Sequence, residues 1–192
     1  MDLAEPLRIQ ARANRLANHR LHASMAALTP DDFHAPRTSF FPSLAATLNH
    51  ILSVDAYYIG ALYGDSDLPA KYETFVPAAD LAALAERQRA SDERLIAYCD
   101  HLDDAGCQAV VTMDRGEGKV QRDLAMHVLA HLFMHQTHHR GQVHAMLSGT
   151  AVQPPQLDEF LMPSDAVFRT ADMAALGWDE TAVYGPMKVK VA

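Results

Sequence analysis

Cysteine is scarce in this chain, with only Cys99 and Cys107 among 192 residues. Their spacing matches no metal-binding pair and does not suggest a disulfide framework. Basic residues are in deficit too: 16 Lys and Arg stand against 24 Asp and Glu, a net charge of −8. That balance, with no basic stripe anywhere, argues against a nucleic-acid backbone as partner. No apolar run approaches the roughly 20 residues that span a bilayer, so no membrane partner is expected. The opening MDLAEPLRIQ carries acid and no apolar segment, so no signal peptide is expected and a cytoplasmic location follows. Internal repeats and low-complexity tracts are absent as well. What remains is a hydrophobic content of 49%, enough for the core of one domain with or without an extended tail.

Histidine, by contrast, is concentrated. Within Gln121 to Gly149, QRDLAMHVLAHLFMHQTHHRGQVHAMLSG, the residues His127, His131, His135, His138 and His139 fall close together. Four of them step by four, the spacing that stacks side chains on one helix face. Nothing breaks a helix until Ser148 and Gly149, and Leu124, Val128, Leu132, Val143, Met146 and Leu147 form its apolar stripe. With His127 set at zero and about 100° per residue, Val128 and Met146 lie near 100°, Leu132 near 140° and Val143 near 160°. His135 falls at about 80° and His139 at about 120°, inside the stripe, with His127 and His138 at its edge. His135 and His139 therefore point inward together, while His127, His131, His138 and His144 go to the rim or surface. Two neutral imidazoles at i and i+4 suit one transition-metal ion, the other ligands coming from elsewhere. The competing reading is a pair of interior histidines hydrogen-bonded to their neighbours.

The rest of the chain reads as helices joined by loops. Glu5 to Leu28 carries one apolar seam, Leu7, Ala11, Leu21, Met25 and Leu28. Asn14 and Asn18 lie on that seam and need partners if buried. Thr29 to Asp32 ends this helix, and Phe33 to Phe41 reads as a loop. A second helix runs from Pro42 or Ser43 to Leu62, with Gly64 as its stop. It is apolar almost all round, so it is central. His50 lies outside its main stripe and reads equally as a boundary histidine or a ligand. Asp55 lies inside the stripe and requires a partner, such as a histidine N–H or a backbone donor. Asp65 to Pro77 is a loop, Ala79 to Cys99 a third helix with charged residues outward, and Asp103 to Val120 a short hairpin around DRGEGK. After the histidine helix, Gln156 to Met162 is a short ordered segment and Asp165 to Leu176 a last helix. The closing GWDETAVYGPMKVKVA shows no pattern. Four main helices indicate an all-α protein, a four-helix bundle with an extended C-terminal tail.

Three pieces in this order, NRLANHRL, FPSLAATLNHILSVD and HLFMHQTHHRGQVHAML, resemble the DinB/YfiT-like superfamily of bundle metalloproteins. The similarity covers roughly Ala4 to Phe160, and HxxxHRGQ is its most specific part. It implies a bundle domain over 1–163 and an extension over 164–192 that packs on or trails from it. It also implies a three-histidine metal site, one ligand from the second helix and two from the fourth. Carried over, these are His50, His135 and His139, and His50 gains its weight from the resemblance alone. Asp55 and Asp158 are then candidates to orient the ligands, and Arg140 and Gln142 to pair with a carboxylate or fix the helix. Three histidines leave an open position, the arrangement of catalytic metals. The superfamily includes enzymes that work with bacterial low-molecular-weight thiols. The resemblance thus implies a divalent transition metal (Zn, Ni, Fe or Mn), a small-molecule substrate, a thiol cosubstrate transferred to an electrophile, and a homodimer. The alternatives are a metal-dependent hydrolase and a non-enzymatic metal-holding stress-response or dimerisation module. No Glu lies within the histidine motif to act as a metalloprotease-like base. Metal binding should weaken as protons compete near pH 6.5.

Overall fold

Four long helices carry the core, and most of their ends are set by identifiable residues. In the computed structural model, which describes residues 2–185, α1 spans Glu5–Met25. Pro6 sits in its first turn, where a missing N–H costs nothing. The short α2 (Pro30–His34) is capped by Thr29, whose hydroxyl accepts from Asp32 N at 3.1 Å. Helix α3 (Leu44–Tyr63) starts on Ser43, which accepts from Ala46 N at 3.0 Å. It stops at Gly64, whose φ of 73° is the left-handed conformation glycine adopts without strain. The short α4 (Leu68–Glu73) precedes α5 (Leu81–Asp100), capped by Asp80 on Ala83 N at 2.8 Å. The single turn α6 (Asp104–Cys107) leads into an antiparallel hairpin. Its strands are β1 (Val110–Asp114) and β2 (Val120–Leu124), in register from Val110 opposite Leu124 to Asp114 opposite Val120. Then come α7 (Ala125–Leu147), a 3₁₀ turn (Pro163–Asp165), α8 (Ala166–Leu176) and α9 (Glu180–Tyr184). No helix among the described residues is long and apolar enough to cross a membrane.

Several boundaries differ from the sequence reading. The hairpin takes Gln121–Leu124 as part of its second strand, so the histidine helix begins at Ala125. Helix α1 ends at Met25 and not Leu28. Helix α2 replaces the end of the first helix and the start of a loop, because Thr29 caps it and Pro30 opens it. Helix α4 lies within the segment read as loop, and α9 within the closing stretch that shows no pattern. Residues 186–192 of that stretch lie outside the described residues.

The long helices pack in a ring: α1 on α5, α5 on α3, α3 on α7, and α7 on α1. Helices α8 and α9 also pack on α1. An apolar cluster with Leu16, Phe160 and Met173 joins α1 to the C-terminal segment, and inside the ring two further apolar clusters have a polar layer between them. One cluster holds Ala11, Ile59, Leu95, Met113, Leu129 and Leu132, with Cys99 and Cys107. The other holds Leu21, Leu48, Ile51, Leu84, Val143 and Leu147. Between these along each helix lie Asn14 and Asn18 on α1, Asp55 on α3, Gln88 and Asp92 on α5, and Gln136 and Arg140 on α7, all buried.

Burying charge is costly unless every group finds a partner, and this layer is densely connected. The Asp92 carboxylate accepts from Asn14 Nδ2 at 3.2 Å, Asn18 Nδ2 at 3.0 Å and Gln88 Nε2 at 3.1 Å. Gln88 Nε2 also donates to Asp55 at 2.7 Å. Arg140 donates to the side-chain oxygens of Asn14, Asn18 and Gln136. Asn14 and Asn18 thus have the partners that their seam positions demand. One hydrogen-bonded chain joins all four helices and holds α7 in register against the rest. That register positions the histidines.

Candidate metal centre

The residues of α7 alternate between two tasks at the level of the polar layer. Gln136 and Arg140 turn into it, while His135 and His139, each one residue earlier, turn toward α3 and meet His50. One ligand atom from each of His50, His135 and His139 lies within 4.8 Å of the others. His50 Nε2 lies 3.1 Å from His135 Nε2. Two imidazole lone pairs at that distance repel unless a proton or a cation lies between them. Nitrogens sharing a tetrahedral ion at 2.0–2.1 Å sit about 3.3 Å apart, so the approach fits a shared metal.

The three rings are tuned toward the neutral form that binds metal. Burial, reinforced by the neighbouring His139, lowers the His50 pKa to about 4. Burial, with His139 and His50 adding to it, lowers His135 to about 3. His139 is lowered mainly by burial, against the opposing pull of Gln142. His139 Nδ1–H donates to Gln142 Oε1 at 2.7 Å, which leaves Nε2 as the free lone pair. Gln142 Nε2 in turn lies 3.2 Å from His138 Nε2. On the other side Phe41 stacks on His50, ring centroids 4.2 Å apart and 28° between planes, and reaches His139 at 5.6 Å. The aromatic ring thus covers one face of the His50 imidazole.

The remaining sequence candidates fall elsewhere. Asp55 lies in the polar layer, where the donor its burial requires is the Gln88 side chain. Burial raises its pKa to about 7, and its Oδ1 has no partner among the described residues. Arg140 belongs to the same layer, its pKa lowered by burial to about 10. Asp158 is exposed and lines a separate cavity of about 440 Å³ with Asn14, Arg140, Gly141 and His144. His127 and His131 are exposed, and His127 Nδ1 pairs with Asp123 at 2.9 Å.

Sequence reasoning missed Gln88 and Asp92, although their spacing with Leu84, Leu95 and Cys99 places them on the buried face of α5. It missed His22 as well, a buried histidine whose Nε2 has no partner among the described residues. It also missed the cleft beside the cluster, a cavity of about 370 Å³ whose walls include Tyr57, Tyr58, Tyr72, Arg115, His131 and His135. Those residues come from α3, α4, the hairpin and α7, so no single spacing announces them.

No curated protein matches the sequence significantly. The DinB family does match, over residues 9–172. That span runs from the first helix through the histidine pair and into α8, and the chain belongs to the DinB family.

Proposed function

We propose that this protein is a metal-dependent enzyme, built on a four-helix bundle of the DinB type, that activates a low-molecular-weight thiol for transfer to an electrophile. The observation that carries the reading is the meeting of His50, His135 and His139, with one ligand atom from each inside 4.8 Å. In this reading the three imidazoles hold one divalent transition ion, the bundle domain covers 1–163 with 164–192 as its extension, and the protein works as a cytoplasmic homodimer. An ion so held would supply Lewis acidity that favours the thiolate form of a thiol.

The chain's own residues then have distinct tasks. His50 and His135 come together across α3 and α7, and Gln142 keeps His139 in the tautomer whose Nε2 faces the cluster. All three donors are neutral, so the full positive charge of the ion is left to attract an anionic sulfur. Phe41 covers one face of the His50 ring. The cleft that reaches His135 offers the volume and the aromatic walls to hold the substrate. Cys99 and Cys107 are buried in an apolar cluster and are absent from the histidine group.

The test is spectroscopic. Cobalt-substituted protein should develop a sulfur-to-metal charge-transfer band on addition of glutathione, mycothiol or bacillithiol. The band should vanish in His139→Ala. No spectral change with any thiol would overturn thiol activation and leave metal-dependent hydrolysis as the better reading.

A further inference from the structure

The cleft beside His135 contains two charges of opposite sign that do not meet each other. Arg115, at the start of the hairpin turn, lies over Tyr57 and Tyr58 with its guanidinium carbon 5.0 and 5.1 Å from their ring centroids. Its Nη2 donates to Tyr58 Oη at 3.0 Å and Gln121 Oε1 at 2.9 Å, and its Nε to the same Gln121 oxygen at 3.2 Å. Every one of those acceptors is neutral. Arg115 is exposed and, like Arg15, Arg37, Arg87, Arg122 and Arg140, meets no carboxylate among the described residues, whereas Arg8, Arg12, Arg20, Arg89, Arg94 and Arg169 each do. Its head is thus held in place by stacking and neutral acceptors while its charge stays unpaired.

Glu73, at the end of α4, lines the same cleft, is exposed, and has no hydrogen bond or ion pair among the described residues. Asp114 lines it too, but its carboxylate is engaged by Gly116 N at 2.9 Å. Lining the cleft that reaches His135, the Arg115 guanidinium is placed to receive an external anion. The Glu73 carboxylate in the same cleft is placed to receive an external cation.

We propose that the thiol accepted here carries an amino-acid head, its carboxylate read by Arg115 and its ammonium by Glu73, an inference that rests on the thiol reading above. The bundle ring supplies the metal ligands. The two additions to it, α4 and the hairpin, supply the selectivity.

Four small thiols separate the contributions: 2-mercaptoethanol carries neither charge, 3-mercaptopropionate the anion, cysteamine the cation and cysteine both. Each is titrated into cobalt-loaded full-length protein, and its dissociation constant is read from the charge-transfer band. Arg115→Gln should weaken cysteine and 3-mercaptopropionate about three- to tenfold, the range for a partly exposed charged hydrogen bond. It should leave cysteamine and 2-mercaptoethanol within about twofold. Glu73→Gln should do the converse, weakening cysteine and cysteamine alone. Chelation of cobalt by a free amino group is common to the wild type and the variants, so it cancels in these ratios. Arg115→Lys, which keeps the charge, should restore part of the loss. Variants that shift all four thiols equally, or none, overturn the inference and leave thiol activation standing. No band with any thiol overturns thiol activation and this inference with it.

Discussion

Replacing Gln142 with Leu removes the one hydrogen bond that orients His139, and its effect on metal affinity follows from the geometry. His139 is 7% exposed, and its Nδ1–H is held by Gln142 Oε1 at 2.7 Å. Leucine fills a similar volume but accepts nothing, so a largely buried N–H loses its partner and the ring is free to rotate or to shift its proton to Nε2. Both changes must be reversed before the nitrogen can bind a metal. Loss of such an orienting partner weakens metal binding by about 10- to 100-fold, or about 1.4–2.8 kcal/mol. Gln142→Glu separates orientation from bulk, because a carboxylate accepts the same bond more strongly. Its affinity should equal or exceed that of the wild type. The assay is competition against a chromophoric chelator at pH 7.5, with urea midpoints as a control for folding. Affinity in Gln142→Leu within twofold of wild type would refute the reasoning, as would a Gln142→Glu variant equally weak.

Three further outcomes follow from the same structure. Burial raises the Asp55 pKa to about 7 from an ordinary 3.8, so the folded state holds a proton that the unfolded chain has released, and this group's stabilisation is lost as pH rises from about 4 through 7. Asp55→Asn should therefore lose less stability than wild type across that window, the difference in urea unfolding reaching about 2–4 kcal/mol. Leu132→Ala, at a fully buried site on α7, should cost about 2–5 kcal/mol in the same assay while the metal content stays unchanged, since its side chain faces the apolar cluster. Light scattering at micromolar concentration should give twice the chain mass of 21.1 kDa; a monomer mass would reject the homodimer.

The helical phase of α7 made His135 and His139 legible, because both fall within the arc of its apolar stripe. Helix α3 offered no such guide. It is apolar almost all round, so spacing alone left His50 undecided. Gln88 and Asp92 were hidden for a different reason: on a helix rich in Arg and Glu, two more polar residues read as solvent-facing, although they share a face with Leu84 and Leu95. Helices α2, α4 and α9 are too short for a periodic signal. The strand boundary at Leu124 escaped because QRDL contains no helix breaker. Proton competition also moves. Free histidine places it near pH 6.5, but burial and mutual proximity lower His50 to about 4 and His135 to about 3. These two rings stay neutral until the pH falls through those values and His139 is lowered as well, so metal release should be centred well below pH 6.5. Metal content measured after dialysis from pH 8 to 3 checks this, and release centred on pH 6.5 would contradict it.

The central claim is tested most directly by elemental analysis of protein purified without a metal-affinity tag. Wild type and His131→Ala should each carry one divalent transition-metal ion per chain, and His50→Ala, His135→Ala and His139→Ala should carry almost none. Wild-type protein without a stoichiometric metal, or a His131→Ala variant that loses the ion while His139→Ala keeps it, would contradict the three-histidine centre.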